Sequence, residues 1–373
     1  MTNVYFFQKV VPHYRLALFR ALYHAYGWKV LTAEHTPDPR GLLLSSHEPF
    51  MEYIPIVFLQ NNLNYPTCGL SALDRLPGPI ALMSEFSLRF PLTYLFAAAR
   101  HTGKIKRLGF HTHGQNLTHP VGAPMAFLSD ALRVQLFKLA DVVATYTSAG
   151  ERWINSVAPG VRTVTIENTI DVGNVRAAAA TATAHRLGFP QLLFCSRLLP
   201  EKRAPLLLEL FDRLAPTYPD LRLVVIGSGE DLPVMLRERR KRGDDERIVY
   251  LEAIYEEKKL APWFLGSDLF IIPGHGGLSI NHALAYGLPV IAFSDERGSF
   301  HAPEIEYVQS GATGRLVEPT KGIDGMASEI CALLAEPDQL DSIRTSIPRY
   351  VDDRLRIETM VHNFGRVDAI LRS

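Results

Sequence analysis

The sequence predicts an α/β protein made of two doubly wound domains, and three observations carry that prediction. At 373 residues the chain exceeds one ordinary domain, and 47% hydrophobic with 21% charged residues is enough for two cores and argues against disorder. Short, continuously apolar runs alternate with helix-length stretches, the pattern of parallel strands covered on both faces. The composition also shifts near the middle: "NVRAAAATATAHRLGFP" (residues 174–190) is Ala/Thr-rich and lacks large apolar residues until Leu187.

Taken in order, the first half offers strands at "VYFF", "IPIVFL", "PIALMSE", "KRLGFHT", "VVATYTS" and "VRTVTIEN". The opening run is too short for a signal peptide and is better suited to a first strand. The second half offers "QLLFCSR", "LRLVVIG", "RIVYLEA", "DLFIIPG" and "PVIAFSD". Each pair is separated by a connection long enough for the crossover that parallel neighbours require. Residues 1–175 are therefore expected as one domain, 176–190 as a linker and 191–353 as a second domain. An ordinary surface helix is the alternative for the linker, because alanine is a strong helix former.

Composition excludes several classes. A net charge of zero argues against a nucleic-acid binder held by bulk electrostatics. Cys68, Cys195 and Cys331 lie far apart with no CxxC spacing, as free thiols in a reducing compartment would. No run of about 20 apolar residues exists to span a bilayer, so the cytoplasm is the expected location. The charged block "RERRKRGDDER" (237–247) is expected to be a solvated helix and turn.

Three loops after second-half strands could carry chemistry. In "LLFCSRLLPEKRAPLLLELFDRL" (192–214) a strand ends at Ser196-Arg197, and Lys202 follows in the loop. Ligands of open α/β sheets bind at the carboxyl ends of strands. Arg offers a fork of donors and Lys a mobile point charge, a pair suited to a diphosphate; two solvated surface cations are the plain alternative. In "VVIGSGEDLP", Gly227 and Gly229 allow a tight turn against a ligand, and Glu230 fits the first turn of a helix. This G-x-G lacks the third glycine of a dinucleotide fingerprint. In "GGLSINHALAYGLPVIAF" (276–293), Gly276 and Gly277 lead into a helix with Ser279 as expected N-cap and Gly287 at its end. Backbone N–H groups at that helix start, near Leu278 and Ser279, form a ready anion site.

These motifs together resemble the donor half of GT-B glycosyltransferases, most closely glycosyltransferase family 4. "HAPEIEYVQSGATGRLVEP" (301–319) resembles the family segment in which a glutamate, here Glu304, and a Thr-Gly pair precede the next strand. In the first half "VPHYRLALFRAL", "HTHGQN", "YTSAG" and "IENTID" occur in family-like order. The resemblance implies a GT-B fold, two Rossmann-like domains facing a cleft, with a C-terminal helix (about 354–373) packing back on the first domain. It implies a metal-independent hexosyl- or other glycosyltransferase, retaining, with a nucleotide sugar as substrate and no cofactor. The acceptor would be a glycan or a lipid-linked molecule in bacterial surface-polysaccharide synthesis. By the same resemblance Arg197 and Lys202 bind the donor diphosphate, and Ser196, Gly229, Glu230, Gly276, Gly277, Leu278, Ser279, His282 and Glu304 line the donor site.

One departure stands out. The family usually carries one glutamate at position 274, contacting hydroxyls of the transferred sugar, and another at 282, contacting the nucleotide ribose. Here these are Gly274 and His282. A histidine can still hydrogen-bond a ribose hydroxyl, whereas a glycine cannot replace a carboxylate.

In the first half, His111 and His113 alternate at a strand end and point to one side. Two histidines without a third ligand make a poor zinc site, so no metal is expected. The resemblance favours His113 as the histidine that reaches donor sugar or acceptor, with His111, His13, Tyr14, Arg15 and Glu85 on the acceptor side. The stretch from Arg89 to Arg107, apolar and then "KIKR", would suit peripheral contact with the anionic inner face of a cell membrane. Two rival readings remain: a nucleotide-sugar epimerase of the same fold, and a catalytically degenerate nucleotide-sugar-binding subunit.

Overall fold

The computed structural model describes residues 2–33, 48–55, 57–58, 66–67, 70–115, 124–243, 245–294 and 301–373. Cys68, Asn116 of "HTHGQN", Asp244 and parts of "IPIVFL" lie outside the described residues. The chain divides into two compact units, Met1–Asp171 with Ile357–Ser373, and Val172–Arg356.

The first unit runs β1 (Asn3–Phe7), α1 (Leu16–Tyr26), β2 (Lys29–Ala33), β3 (Met51–Ile54), β4 (Val57–Phe58), β5 (Pro66–Thr67), β6 (Ile80–Glu85), α2 (Pro91–His101), β7 (Arg107–Thr112), α3 (Pro124–Lys138), β8 (Val142–Thr145), α4 (Ser148–Val157) and β9 (Thr163–Thr165). The second continues with α5 (Val172–Thr181), β10 (Gln191–Cys195), α6 (Leu206–Leu214), β11 (Arg222–Ile226), α7 (Leu232–Lys241), β12 (Ile248–Leu251), α8 (Glu257–Leu265), β13 (Leu269–Ile272), α9 (Leu278–Ala285), β14 (Val290–Phe293), β15 (Gly314–Val317), α10 (Gly322–Ala335) and α11 (Pro337–Arg354). The last helix, α12 (Ile357–Arg372), belongs to the first unit.

The first unit's sheet has the order β3-β2-β1-β6-β7-β8-β9, and all its pairs are parallel. The second unit's sheet has the order β12-β11-β10-β13-β14-β15, also parallel throughout. In each sheet the strand order reverses once, between β1 and β6 and between β10 and β13. The crevice beyond the strand ends at such a reversal is where open α/β sheets take their ligands. β4 and β5 form a small separate antiparallel pair.

Both faces of each sheet are covered, which is why the strands are apolar end to end. In the first unit α12 supplies much of one face. Met360, Phe364, Val367 and Leu371 are buried against Val4, Phe6, Phe19 and Trp28. Their spacing is that of one helical stripe. The Phe364 ring meets Trp28 at 5.5 Å and Phe6 at 6.2 Å, both edge-on, and Trp28 Nε1 donates to Asp368.

The Ala-rich stretch expected as a linker begins as a helix. Val172, Val175 and Ala178 of α5 are buried, and α5 packs against α8 and α9. Small alanines let it lie close on its neighbours while costing no side-chain entropy. The rest of that stretch is tied to the second unit: the His185 amide donates to the Pro262 carbonyl, and Arg186 forks onto Asp268.

The apolar side chains between Arg89 and Arg107 also have a different use. Leu92, Phe96, Ala97 and Ala99 of α2 are buried in the core, and Tyr94 is its only large apolar residue more than a third exposed. Lys104 pairs with Asp74, while Arg100 and Arg107 share Asp141. Most apolar groups of this stretch are therefore used in the core, while Arg89 stays exposed. Among the described residues no helix is long and apolar enough to cross a membrane.

Candidate functional site

The second unit gathers its expected site residues at the reversal between β10 and β13. Beyond β10, the chain through Ser196 and Leu198 is stitched to the turn that follows β11. The Ser196 amide donates to the Ile226 carbonyl, Leu198 to Ser228, and Asp231 back to Leu198, at 2.9–3.1 Å. Gly227 and Gly229 make this possible. Their φ values are 156° and 151°, and a Cβ on them would stand 2.0 Å from the Ser196 oxygen and 2.4 Å from the Leu198 oxygen. Gly229 and Glu230 are thereby left exposed on the rim.

Beyond β13 the chain passes Gly274 and meets the short turn Pro200–Lys202. The His275 amide donates to the Glu201 carbonyl at 2.8 Å, and Lys202 Nζ donates to the His275 carbonyl at 2.8 Å. A Cβ on Gly274 would lie 2.5 Å from the backbone carbon and oxygen of Lys202. The glycine thus has a structural cause: the lysine-bearing turn occupies the space where a side chain at 274 would begin.

Lys202 is mostly enclosed, and its ammonium is pushed down to about 8, first by burial and then by the Arg197 guanidinium. Arg197 is exposed, with no hydrogen bond or ion pair among the described residues. A half-buried lysine and an open arginine thus face the same strand-end region, a cationic pair without a salt-bridge partner among the described residues.

The α9 start adds dipoles to this charge. Gly277 is the N-cap, with no side-chain cap, so Ser279 sits inside the first turn and not at the cap position expected for it. The Leu278 and Ser279 amides belong to the first turn, where no intrahelical acceptor exists. The turn before them is fixed from behind: His301, fully buried, accepts the Gly276 amide at Nδ1 (2.9 Å), and the Ala302 amide donates to the Gly276 carbonyl. Burial pushes both His301 and His275 down to about 4, helped for His301 by His275 and for His275 by Lys202, so both imidazoles are neutral at neutral pH. Glu304 is 2% exposed, an inner wall of the site.

His282 is placed one turn into α9 but is already engaged. Its Nε2 lies 2.7 Å from Glu257 Oε1, which also accepts the Tyr286 hydroxyl at 2.5 Å. The imidazole rests on Phe264, ring centres 4.7 Å apart. Burial would raise the Glu257 carboxyl, but the hydrogen bonds from His282 and Tyr286 outweigh it and hold it below its usual value.

The first unit gathers a second group where β1, β6, β7 and β8 end, around Tyr146. Arg15, at the start of α1, donates to the Tyr146 hydroxyl at 3.0 Å and lies 5.4 Å from its ring centre. His113 is exposed and stacks on Tyr146 at 4.4 Å. Glu85 is half-buried and accepts from Gln8 Nε2 at 2.8 Å. His13 is exposed and Tyr14 half-buried, their rings 5.9 Å apart. His111 departs from expectation. It is 1% exposed, among Phe6, Tyr146 and Phe364, with neither ring nitrogen hydrogen-bonded. β7 is an interior strand, so a side chain at 111 points into the layer beneath α12, and burial holds its imidazole neutral.

Glu257, Tyr286, His301, Gln8 and Tyr146 were not singled out by motif. His282 and Glu257 are 25 residues apart, as are Gly276 and His301. Pairings at that separation leave no local sequence signal. Among the described residues no group of three or more His, Cys, Asp or Glu side chains is placed to hold a metal ion.

Comparison with known proteins matches this picture in its outline. Residues 189–336 match the family model described as glycosyl transferases group 1. A GDP-mannose-dependent alpha-(1-6)-phosphatidylinositol monomannoside mannosyltransferase of Mycolicibacterium smegmatis is 29% identical over 270 residues, covering 68% of this chain and 67% of that protein. A D-inositol 3-phosphate glycosyltransferase of Thermobispora bispora is 28% identical over 235 residues, 58% of this chain and 53% of that protein, so the match spans about half of that relative's length. Among solved structures, a sucrose-phosphate synthase of Thermosynechococcus elongatus superposes with a TM-score of 0.73 at 17% identity, covering 100% of this chain and 99% of that one. At that identity the likeness speaks for the fold, which is GT-B.

Proposed function

We propose that this chain, whose residues 189–336 match the glycosyl transferases group 1 model, moves a glycosyl group from a nucleotide-sugar donor to a glycan or lipid-linked acceptor. The observation that carries the reading is the joint placement of Arg197, Lys202 and the α9 start at the sheet reversal of the second unit. When the bond between the sugar's anomeric carbon and the diphosphate breaks, its electron pair goes to a phosphate oxygen and negative charge grows there. Lys202, held on the His275 carbonyl, and the Leu278 and Ser279 amides are fixed beforehand, and with the open Arg197 they stabilise that charge more in the transition state than in the ground state. Ser196, Gly229, Gly276 and Gly277 let the backbone approach the donor, and Glu304 closes the wall behind it.

Transfer with retention, and a place in surface-polysaccharide synthesis, are the finer parts of this proposal. So is an acceptor site at the Tyr146 group, with His113, His13, Tyr14, Arg15 and Glu85 facing the acceptor. The relative that uses GDP-mannose and the one that acts on an inositol phosphate support a sugar nucleotide and a polyol or lipid-linked acceptor. A lipid-linked acceptor would bring the protein to a membrane, and peripheral contact with an anionic inner face through residues 89–107 is part of the same proposal.

Incubation with a panel of GDP- and UDP-sugars tests the reading. Slow release of GDP or UDP, accelerated by a glycan or lipid-linked acceptor, is the expected result. Nucleotide binding with no turnover on any acceptor would favour a binding subunit instead. Conversion of the nucleotide sugar to its epimer would move the chain to another reaction class.

A further inference from the structure

We propose that Glu257 is the carboxylate through which this protein reads a pair of neighbouring hydroxyls on its donor, with His282 and Tyr286 as the residues that position it. The inference rests on the donor-binding reading above and adds to it a residue on α8 that no motif marks.

Glu257 stands at the same sheet edge as the phosphate-facing groups. It opens α8, which follows β12 after a short connection, so it lies beyond a strand's carboxyl end. It is also near the end of β10, since its charge helps push the Cys195 thiol up to about 12 after burial has done most of that.

Both donors to the carboxylate land on one oxygen. His282 Nε2 is 2.7 Å and the Tyr286 hydroxyl 2.5 Å from Oε1. Oε2 has no hydrogen-bond partner among the described residues, and the Glu257 side chain keeps 16% of its surface exposed. A carboxylate oxygen accepts two hydrogen bonds. This one is held in orientation by its sister oxygen, so binding would cost little side-chain entropy.

Its charge determines which part of the donor it can meet. An anion repels a diphosphate, which Arg197 and Lys202 attract. What a fixed, acceptor-only group favours is a neutral polyol with O–H donors on adjacent carbons, and a nucleotide sugar carries such pairs on the ribose and on the sugar. A carboxylate at 282 would stand against Glu257 as a like charge, whereas histidine pairs with it. The acidic acceptor is thus supplied from α8 and steadied from α9.

Titration calorimetry on the full chain tests this, with GDP and UDP, their 2′-deoxy and 3′-deoxy forms, and GDP-mannose and UDP-glucose. The wild type is expected to prefer the ribo form over the deoxy forms by about 10- to 100-fold, the range for hydrogen bonds to a charged group. Glu257→Gln should remove that preference by weakening only the ribo form. His282→Gln, whose amide can still donate to Glu257, should keep it. If Glu257→Gln leaves GDP and UDP unchanged but weakens the nucleotide sugars, the hydroxyl pair is on the transferred sugar and the proposal stands. Equal weakening of ribo and deoxy forms, or no weakening of any ligand, would overturn it and leave Glu257 as a purely structural partner of His282. So would loss of the preference in His282→Gln but not in Glu257→Gln. If the wild type binds none of these nucleotides, the donor reading itself fails and this inference with it.

Discussion

Lys202 shows how the fold sets the charge of a single side chain. Its amine is mostly enclosed beside His275 and lies near Arg197, so it loses its proton well below a free lysine, at about 8. The charged form is the one that would grip a diphosphate. Affinity for GDP or UDP should therefore be full below pH 8 and fall as pH rises through it, by about tenfold at pH 9. Calorimetry across that range checks the sign, and Lys202→Arg should flatten the profile because arginine stays charged. Gly274 is the complementary case. Even one added methyl would press on the Lys202 backbone. Gly274→Ala should lower the stability of the second unit by about 1–3 kcal/mol and weaken nucleotide binding; unchanged melting and binding would show that the lysine turn yields freely. Restoring a glutamate there should cost more, for the same steric reason.

At the scale of elements, the α9 start depends on a histidine far away in sequence. His301 accepts the Gly276 amide while fully buried, so His301→Ala would leave that donor without a partner and should cost about 1–3 kcal/mol in urea unfolding. His301 and His275 have pKa values of about 4 in the fold against an ordinary 6.5. The unfolded chain therefore binds more protons between those values, and stability should decline as pH falls from about 6.5 to 4. A stability that rose over that window would contradict neutral imidazoles.

The sequence made some of these elements plain and hid others. β10, β11, β13 and β14 stand out because interior parallel strands must be apolar on both faces. β2 (Lys29–Ala33) is an interior strand too, yet Lys29 and Thr32 break its apolar run, and it follows α1 after two residues. α5 was masked by composition, since alanines serve a closely packed helix as well as a loose connection. In the candidate site, Arg197, Lys202 and the double glycine follow strands directly and could be found by position. The Glu257–His282 and Gly276–His301 pairs exist only after folding.

Across the whole molecule, the last helix joins the first unit although its sequence follows the second. Phe364 lies fully buried between Phe6 and Trp28. Phe364→Ala should destabilise the first unit by about 3–5 kcal/mol, and a chain ending at residue 356 should expose the apolar face that Met360, Phe364, Val367 and Leu371 now cover. Loss of protection from hydrogen exchange in β1, β6 and β7, with β10 and β13 retaining theirs, is the expected signature of that truncation.

The central claim is that Arg197 and Lys202, with the α9 start, hold the donor's diphosphate. Its most direct test is calorimetric binding of GDP and UDP to the wild type and to the double variant Arg197→Ala/Lys202→Ala at pH 7. The wild type should bind at least one of them, and the double variant should lose affinity by about 100-fold or more, with its fold retained by circular dichroism. Equal affinity in the two proteins would contradict it.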